Sequence, residues 1–342
     1  MPESDQPNAP LSPDDSLPPI EPPSMKFIVQ LFVIPGVIVG VIVLAWFLIT
    51  QLTQAGNDPH DFVQSLRRNN EARWFAAQNL ANAMNASQSD TVKKDEKLAR
   101  ELSEILADDL KVDKSGDEAI GYRVFLCRAL GEFAVDEPLS VLLQAAKKQH
   151  SDDDIDVRIA ALQAIAILAE NVRRVQKVEL KSDDLLPALL ETSQAQSGRI
   201  RQAAALPLGV IGGEQALHRL EEMTADTYAD ARFCAATGLA AHGSTSGQDV
   251  LLEMLDPKSE AGVALEKLPD QKEDKRWNMY AAALRAVSEL TEKNPTADLD
   301  PYIQAGDKLT ASLSGKNKTD VQHAVEHIKE LAAERKKTPE KP

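Results

Sequence analysis

The sequence predicts an all-α fold: an alpha-solenoid of about seven helix pairs, preceded by one transmembrane helix and a disordered acidic tail. Three observations carry this. One helical pattern recurs along the chain, in which an arginine is followed three, four, seven and eight residues later by small or aliphatic residues. Arg158 is followed in this way by Ala161, Leu162, Ile165 and Ala166, and Arg73 by Ala76, Ala77, Leu80 and Ala81. Arg123 has Leu126, Cys127, Leu130 and Gly131; Arg201 has Ala204, Ala205, Leu208 and Gly209; Arg232 has Ala235, Ala236, Leu239 and Ala240. These offsets share one face of a 3.6-residue helix, and recurrence every few tens of residues marks a stack of repeats. Composition is the second observation: 43% of residues are apolar but only 4% aromatic, which favours closely packed helices over strands. Third, Phe27 to Ile49 carries no charge and one strongly polar residue, Gln30, enough to cross a hydrocarbon core of about 30 Å as a helix.

In chain order, residues 1–25 are polar, acidic and proline-rich (Pro18-Pro19, Pro22-Pro23), with almost nothing to bury, and are expected to be disordered. Residues 26–52 are expected to form the membrane helix, with Trp46 near its far boundary. No small-x-small cleavage site follows it, so the segment reads as an anchor and not as a signal peptide. Gly36 and Gly40 stand in the spacing that lets two membrane helices touch backbone to backbone, a candidate homodimer contact. Acids dominate before the anchor, and Arg67, Arg68 and Arg73 follow it, which leans the C-terminal body to the cytoplasmic side. Lys26 beside the apolar run, with Met25 as an alternative start, argues for the opposite orientation.

The solenoid is expected over residues 57–335. Asp61–Arg68 pairs with Glu71–Met84 across Asn69-Asn70, and a single long helix from Val92 to Leu110 pairs with the Arg123 helix. Pro138–Gln149 precedes the Arg158 helix, Asp183–Thr192 the Arg201 helix, and Gln215–Met223 the Arg232 helix, with Gly212-Gly213 and Gly243 to Gly247 as helix stops. The sixth pair is irregular. Gln248–Leu255 is followed by a charged insertion, Asp256–Lys275, and then by Arg276–Thr291, where Tyr280 stands in the arginine's place. In the seventh, Pro301–Leu313 pairs with Asp320–Arg335; Val321 takes the anchor position, and Lys329 gives the charged last face a terminal cap needs. Residues 336–342 read as a solvated tail.

These pairs resemble HEAT repeats, specifically the short HEAT-like type found in phycobilisome lyases, whose second helix opens Asp-Val-Arg and continues through Ala-Ala to Leu-Gly. Asp156-Val157-Arg158 and Asp230-Ala231-Arg232 match that opening; Arg201 follows Arg199-Ile200 and lacks the acid, and Glu71 substitutes for it before Arg73. The resemblance covers about Asp58 to Arg335. It implies that the acid and the arginine tie adjacent units together by hydrogen bonds, a structural role carried to Asp156, Arg158, Asp230 and Arg232. Arg73, Arg123 and Arg201 hold the same place in the pattern. Such a motif specifies a fold and says little of function.

Chemistry is hard to find. Deoxyhypusine hydroxylases resemble this architecture but hold iron through His-Glu pairs, and none of the six histidines here is followed by Glu. His323 and His327 share a helix face, with Glu326 between them in a place that is not His-Glu-x-x-His. Nothing marks a bilin pocket. A calcium loop starting at Asp152 would have Val157 where glycine is needed and Gln163 where glutamate is needed. Cys127 and Cys234 read as small packing residues. No catalytic constellation, cofactor or metal site is expected, and a net charge of -15 repels phosphate backbones and argues against nucleic acid. The expected function is therefore a membrane-anchored scaffold or adaptor, held in the membrane by residues 27–52, that binds a protein partner on its solenoid surface without catalysis. Trp74, Phe125, Phe233, Trp277 and the 256–275 insertion are candidate contacts. The rival is an enzyme or enzyme subunit of the HEAT-like class, of the metal-dependent hydroxylase or lyase type, whose site is not visible as a motif.

Overall fold

The computed structural model describes residues 26, 29, 36–47, 59–67, 72–86, 90–112, 116–148 and 154–337. The chain divides into two units, Met1–Asp58 and Pro59–Pro342. In the first, residues 36–47 are helical and their large apolar side chains, Val37 to Phe47, are exposed. Among the described residues no helix is long and apolar enough to cross a membrane. Both ends of the expected span 26–52 lie largely outside the described residues, as do the expected tail 1–25, the Asn69-Asn70 joint and Asp152-Asp153. A side chain built on Gly36 or Gly40 would meet nothing within 4 Å.

The second unit is an alpha-solenoid with no strand among its described residues. Its helices are α1 (Pro59–Leu66), α2 (Ala72–Ala86), the single turn α3 (Asp90–Lys93), α4 (Glu96–Lys111), α5 (Asp117–Gly131), α6 (Leu139–Lys147), α7 (Asp154–Gln176) and α8 (Leu185–Thr192). They continue as α9 (Gly198–Ile211), α10 (Glu214–Met223), α11 (Ala229–Ala241), α12 (Gln248–Leu255), α13 (Pro269–Lys293), α14 (Asp300–Ser312) and α15 (Gly315–Lys337). Apart from α3 they pack in successive pairs: α1 with α2, α4 with α5, and so on to α14 with α15. Each second helix packs on the second helices of the pairs before and after it, making a continuous layer α2, α5, α7, α9, α11, α13, α15. The first helices make the other layer, which is thinnest where α10 and α12 hardly touch.

The core lies between the layers and is built from the repeated offsets. Ala161, Leu162 and Ile165 are fully buried, as are Ala204, Ala205 and Leu208, and Ala235, Ala236 and Leu239. Each leucine so buried contributes roughly 1.5–3 kcal/mol, while the alanines let neighbouring helix backbones come close. Two apolar clusters result, one running from Val63 to Leu239 and the other from Phe233 to Ile328, and α11 belongs to both.

Several boundaries differ from the sequence reading. The single helix expected from Val92 to Leu110 is broken, because Asp95 leaves the helical conformation (φ -77, ψ 91) and its carboxylate accepts the Leu98 amide at 2.9 Å, starting α4 afresh. α13 begins at Pro269 and not at Arg276: proline at the first turn has its φ preset and needs no partner for a missing donor, so the charged run to Lys275 is helical and the insertion shrinks to 256–268. α15 begins at Gly315 instead of Asp320 and takes in two residues of the expected tail. Gly212 (φ 62) and Gly213 (φ 83) both adopt left-handed backbone, which ends α9 and turns the chain directly into α10.

Candidate functional site: a groove across the second helices

The anchor arginines sort by what they bond. Arg123 donates from Nε to Asp109 Oδ1 at 2.7 Å and from Nη2 to the carbonyls of Asp109 and Val112, so it closes the end of α4, the first helix of its own pair. Arg158 does the same for α6, donating to the Ala146 carbonyl at 2.9 Å. The others reach the following pair. Arg73 donates to Glu118 at 2.8 Å, with its guanidinium 4.4 Å from the Tyr122 ring centroid. Arg201 donates to both carboxylate oxygens of Asp226, each at 2.7 Å, and also holds its own pair through the Ala195 and Gln196 carbonyls at 2.9 and 2.8 Å. Arg232 donates to Glu253 at 2.9 Å and to the Asp226 carbonyl at 2.8 Å. The paired Arg201 guanidinium, with the Tyr228 amide, holds the Asp226 carboxyl below its ordinary pKa against the opposing effect of burial.

Asp156 and Asp230 occupy equivalent places on α7 and α11, and each meets a cation on the next second helix. Asp156 accepts from Arg199 at 2.8 Å, both side chains being 58% exposed. Asp230 accepts from Lys275 at 2.7 Å. Burial alone would lower the Lys275 pKa, but the bond to Asp230 and its charge outweigh that and raise it. Neither acid bonds the arginine two residues along its own helix. Lys275 was hidden from sequence reasoning inside the charged run before Arg276.

On the second-layer face a groove of about 1090 Å³ crosses four successive helices, α7, α9, α11 and α13. Its floor is made of small residues: Ala166, Ala205, Gly209, Gly238, Ala241, Ala282 and Ala286. Close helix approach explains them, since a Cβ added to Gly209 would come within 3.0 Å of the Gly238 Cα. Ile167, Leu206 and Val210 supply the larger apolar wall, and Glu170, Arg173, Arg285, Glu289, Glu292 and Lys293 the charged rim. One end is tied by polar side chains that cap the carbonyls at the ends of neighbouring helices. Asn171 donates to the Gly131 and Glu132 carbonyls at 3.2 Å, His242 Nε2 to Gly209 at 2.7 Å, and Asn294 to Gly243 at 2.8 Å.

Ile167, Val210, Ala241 and Glu289 each stand nine residues after an anchor, Arg158, Arg201, Arg232 and Tyr280. That register was available in the sequence but lies off the buried face. None of Trp74, Phe125, Phe233 or Trp277 lines the groove. Phe233 is buried, while Trp74 stacks edge-on with Tyr122. Cys234 does line it, but burial pushes its thiol up to about 12, as it does that of Cys127, so both stay protonated at neutral pH. Among the described residues no three His, Cys, Asp or Glu side chains come together to hold a metal ion; His323 and His327 are exposed on α15.

Residues 150–240, from the approach to α7 through most of α11, match the family model for HEAT repeats. No curated protein matches the sequence significantly. Among solved structures the chain is similar to the CpcE–CpcF complex of phycocyanin lyase from Nostoc sp. PCC7120, at 16% identity and a TM-score of 0.44 over 79% of this chain and 94% of that one. It is also similar to YibA of Escherichia coli, at 14% identity and a TM-score of 0.32 over 79% of this chain and 92% of that one. Human deoxyhypusine hydroxylase in complex with glycerol matches at 16% identity and a TM-score of 0.32, over 81% of this chain and 96% of that one.

Proposed function

We propose that the protein is a membrane-tethered alpha-solenoid whose second-layer groove holds a segment of a protein partner, with no catalysis of its own. The observation that carries this reading is the groove itself: a small-residue, apolar floor continuous over four helices and edged by charges of both signs. That is the anatomy of a protein interface, with an apolar centre and a polar rim. Helices packed at about 9 Å put roughly 27 Å between α7 and α13, a distance that about eight residues of extended chain span. The high thiol pKa of Cys234 supports binding over nucleophilic chemistry in this groove. Arg73, Arg123, Arg158, Arg201 and Arg232, bonded within and between pairs, serve the stack and leave the ligand to the face nine residues further on.

The tether rests on the uncharged run from Phe27 to Ile49 and on the exposed apolar side chains of helix 36–47. Gly36 and Gly40 present an open face on that helix suited to a second copy. Anchoring raises the concentration of the groove near membrane partners without any new contact.

The groove reading is tested by Ile167→Glu and Ala282→Arg, which place charge on its wall and its floor, with Val178→Glu (Val178 is 53% exposed and outside the groove) as control. A partner that co-purifies with the detergent-solubilised chain is lost from the two groove variants and kept by the control, with melting temperatures alike. Retention of the partner by both groove variants would show that it binds elsewhere.

A further inference from the structure

α1 opens the second unit and packs on α2 and α4. Among its described side chains Val63 and Leu66 are buried, and the Tyr122 hydroxyl donates to the Leu66 carbonyl at 2.8 Å. Its first turn is held on α4 by one imidazole placed between two carboxylates. His60 Nε2 stands 2.9 Å from Asp95 Oδ2, and Nδ1 stands 3.3 Å from Glu101 Oε2. A neutral imidazole has one N–H and one lone pair, so it bonds one carboxylate and turns a lone pair toward the other. Only the imidazolium donates to both. Lys97 lies 3.8 Å from Glu101 and Arg67 lies 3.1 Å from Glu104, both on the α1–α4 face, while Arg73 on α2 is turned to Glu118 and Tyr122.

We propose that His60 is a pH-sensitive clasp that fastens α1 to α4 when protonated and loosens it as the pH rises. Partial burial alone would lower the imidazole pKa, but the bonds to Asp95 and Glu101 and their charges outweigh it and raise the value above 6.5. A folded-state pKa raised above the unfolded value means the stabilisation is complete below about 6.5 and is lost as the pH climbs through the folded value. Asp95 shows the reciprocal effect: burial opposes it, but the Leu98 amide and His60 together lower its pKa. Releasing α1 converts eight helical residues, about 12 Å long, into chain that spans roughly 27 Å. The clasp stands on its own; that it sets the reach of the solenoid from the bilayer rests on the tether proposed above.

The test is amide exchange, read by mass spectrometry on the full chain in detergent and corrected for intrinsic rates. Between about pH 5.5 and about pH 8.5, α1 protection in the wild type falls roughly three- to tenfold while that of α9 stays constant. His60→Gln, which does not titrate, gives the loosened value at both pH values. Glu101→Gln leaves the Asp95 cap intact and moves the transition to lower pH. Equal α1 protection at both pH values in the wild type, or a pH dependence that survives His60→Gln, would overturn the clasp whether or not the tether exists.

Discussion

Asp226 is the residue on which two pairs meet. Its carboxylate, 7% exposed, takes both donors of Arg201 from the pair before, and its carbonyl takes Arg232 of its own pair. Removing one partner of a buried, doubly bonded ion pair leaves the other charge desolvated, so Asp226→Asn is expected to cost about 3 kcal/mol in urea unfolding at neutral pH. Asp156→Ala, which breaks a pair exposed on both sides, is expected to cost no more than about 0.5 kcal/mol. The pH dependence has a fixed sign. Because the folded pKa of Asp226 is depressed, its contribution is present above the unfolded carboxyl value and disappears as the pH falls through the folded one. Unfolding measured between neutral pH and about pH 3 should therefore show a larger acid-side loss in the wild type than in Asp226→Asn. Arg201 was legible in the sequence because it repeats. Asp226 was not, since it lies in a connector without periodicity and its partner is fixed only when one pair is stacked on the next.

At the scale of the element, close helix approach decides which glycines matter. A Cβ on Gly131, at the end of α5, would meet the Ala164 Cα of α7 at 2.8 Å, a contact with backbone that cannot swing aside. Gly131→Ala is expected to destabilise by about 1–3 kcal/mol through overpacking. Gly121, on the same helix, would meet only the tip of Trp74 at 3.5 Å, so Gly121→Ala is expected to stabilise by roughly 0.5 kcal/mol, by lowering unfolded-state entropy. Thermal melts of the two variants should move in opposite directions; a common direction would mean that α5 and α7 do not sit in this contact. The sequence disclosed these helices through the three-four-seven-eight spacing of Ala and Leu. It disclosed their starts less well, because a start depends on one local group: the Asp95 carboxylate that splits α3 from α4, or Pro269, which opens α13 within a run of charges that reads as loop.

At the scale of the whole molecule, each pair leans on its sequence neighbours, so stability propagates along the stack. Within the first-helix layer continuity is weakest where α10 and α12 hardly touch, and there the two apolar clusters meet on α11. Leu239 is fully buried on that helix. Leu239→Ala is expected to cost about 2–5 kcal/mol and to divide a single calorimetric transition into two. A shifted but still single transition would show that the second unit melts as one block regardless of α11. The groove is a property of this scale as well. No single helix shows it, because its floor is the sum of faces on four helices that the sequence places up to a hundred or so residues apart. Ile167, Val210, Ala241 and Glu289 stand one place beyond the repeated offsets, and only the second layer aligns them.

The central claim, that the second-layer face is where a partner lies, is tested most directly by a photoreactive amino acid placed in the intact chain and irradiated in living cells. Ile167 is the groove position and His218, exposed on α10 in the other layer, is the control. The account predicts a single defined protein adduct from position 167 that is absent from position 218 and lost in the Ala282→Arg background. Adducts of equal yield from both positions, or none from the groove, would contradict it.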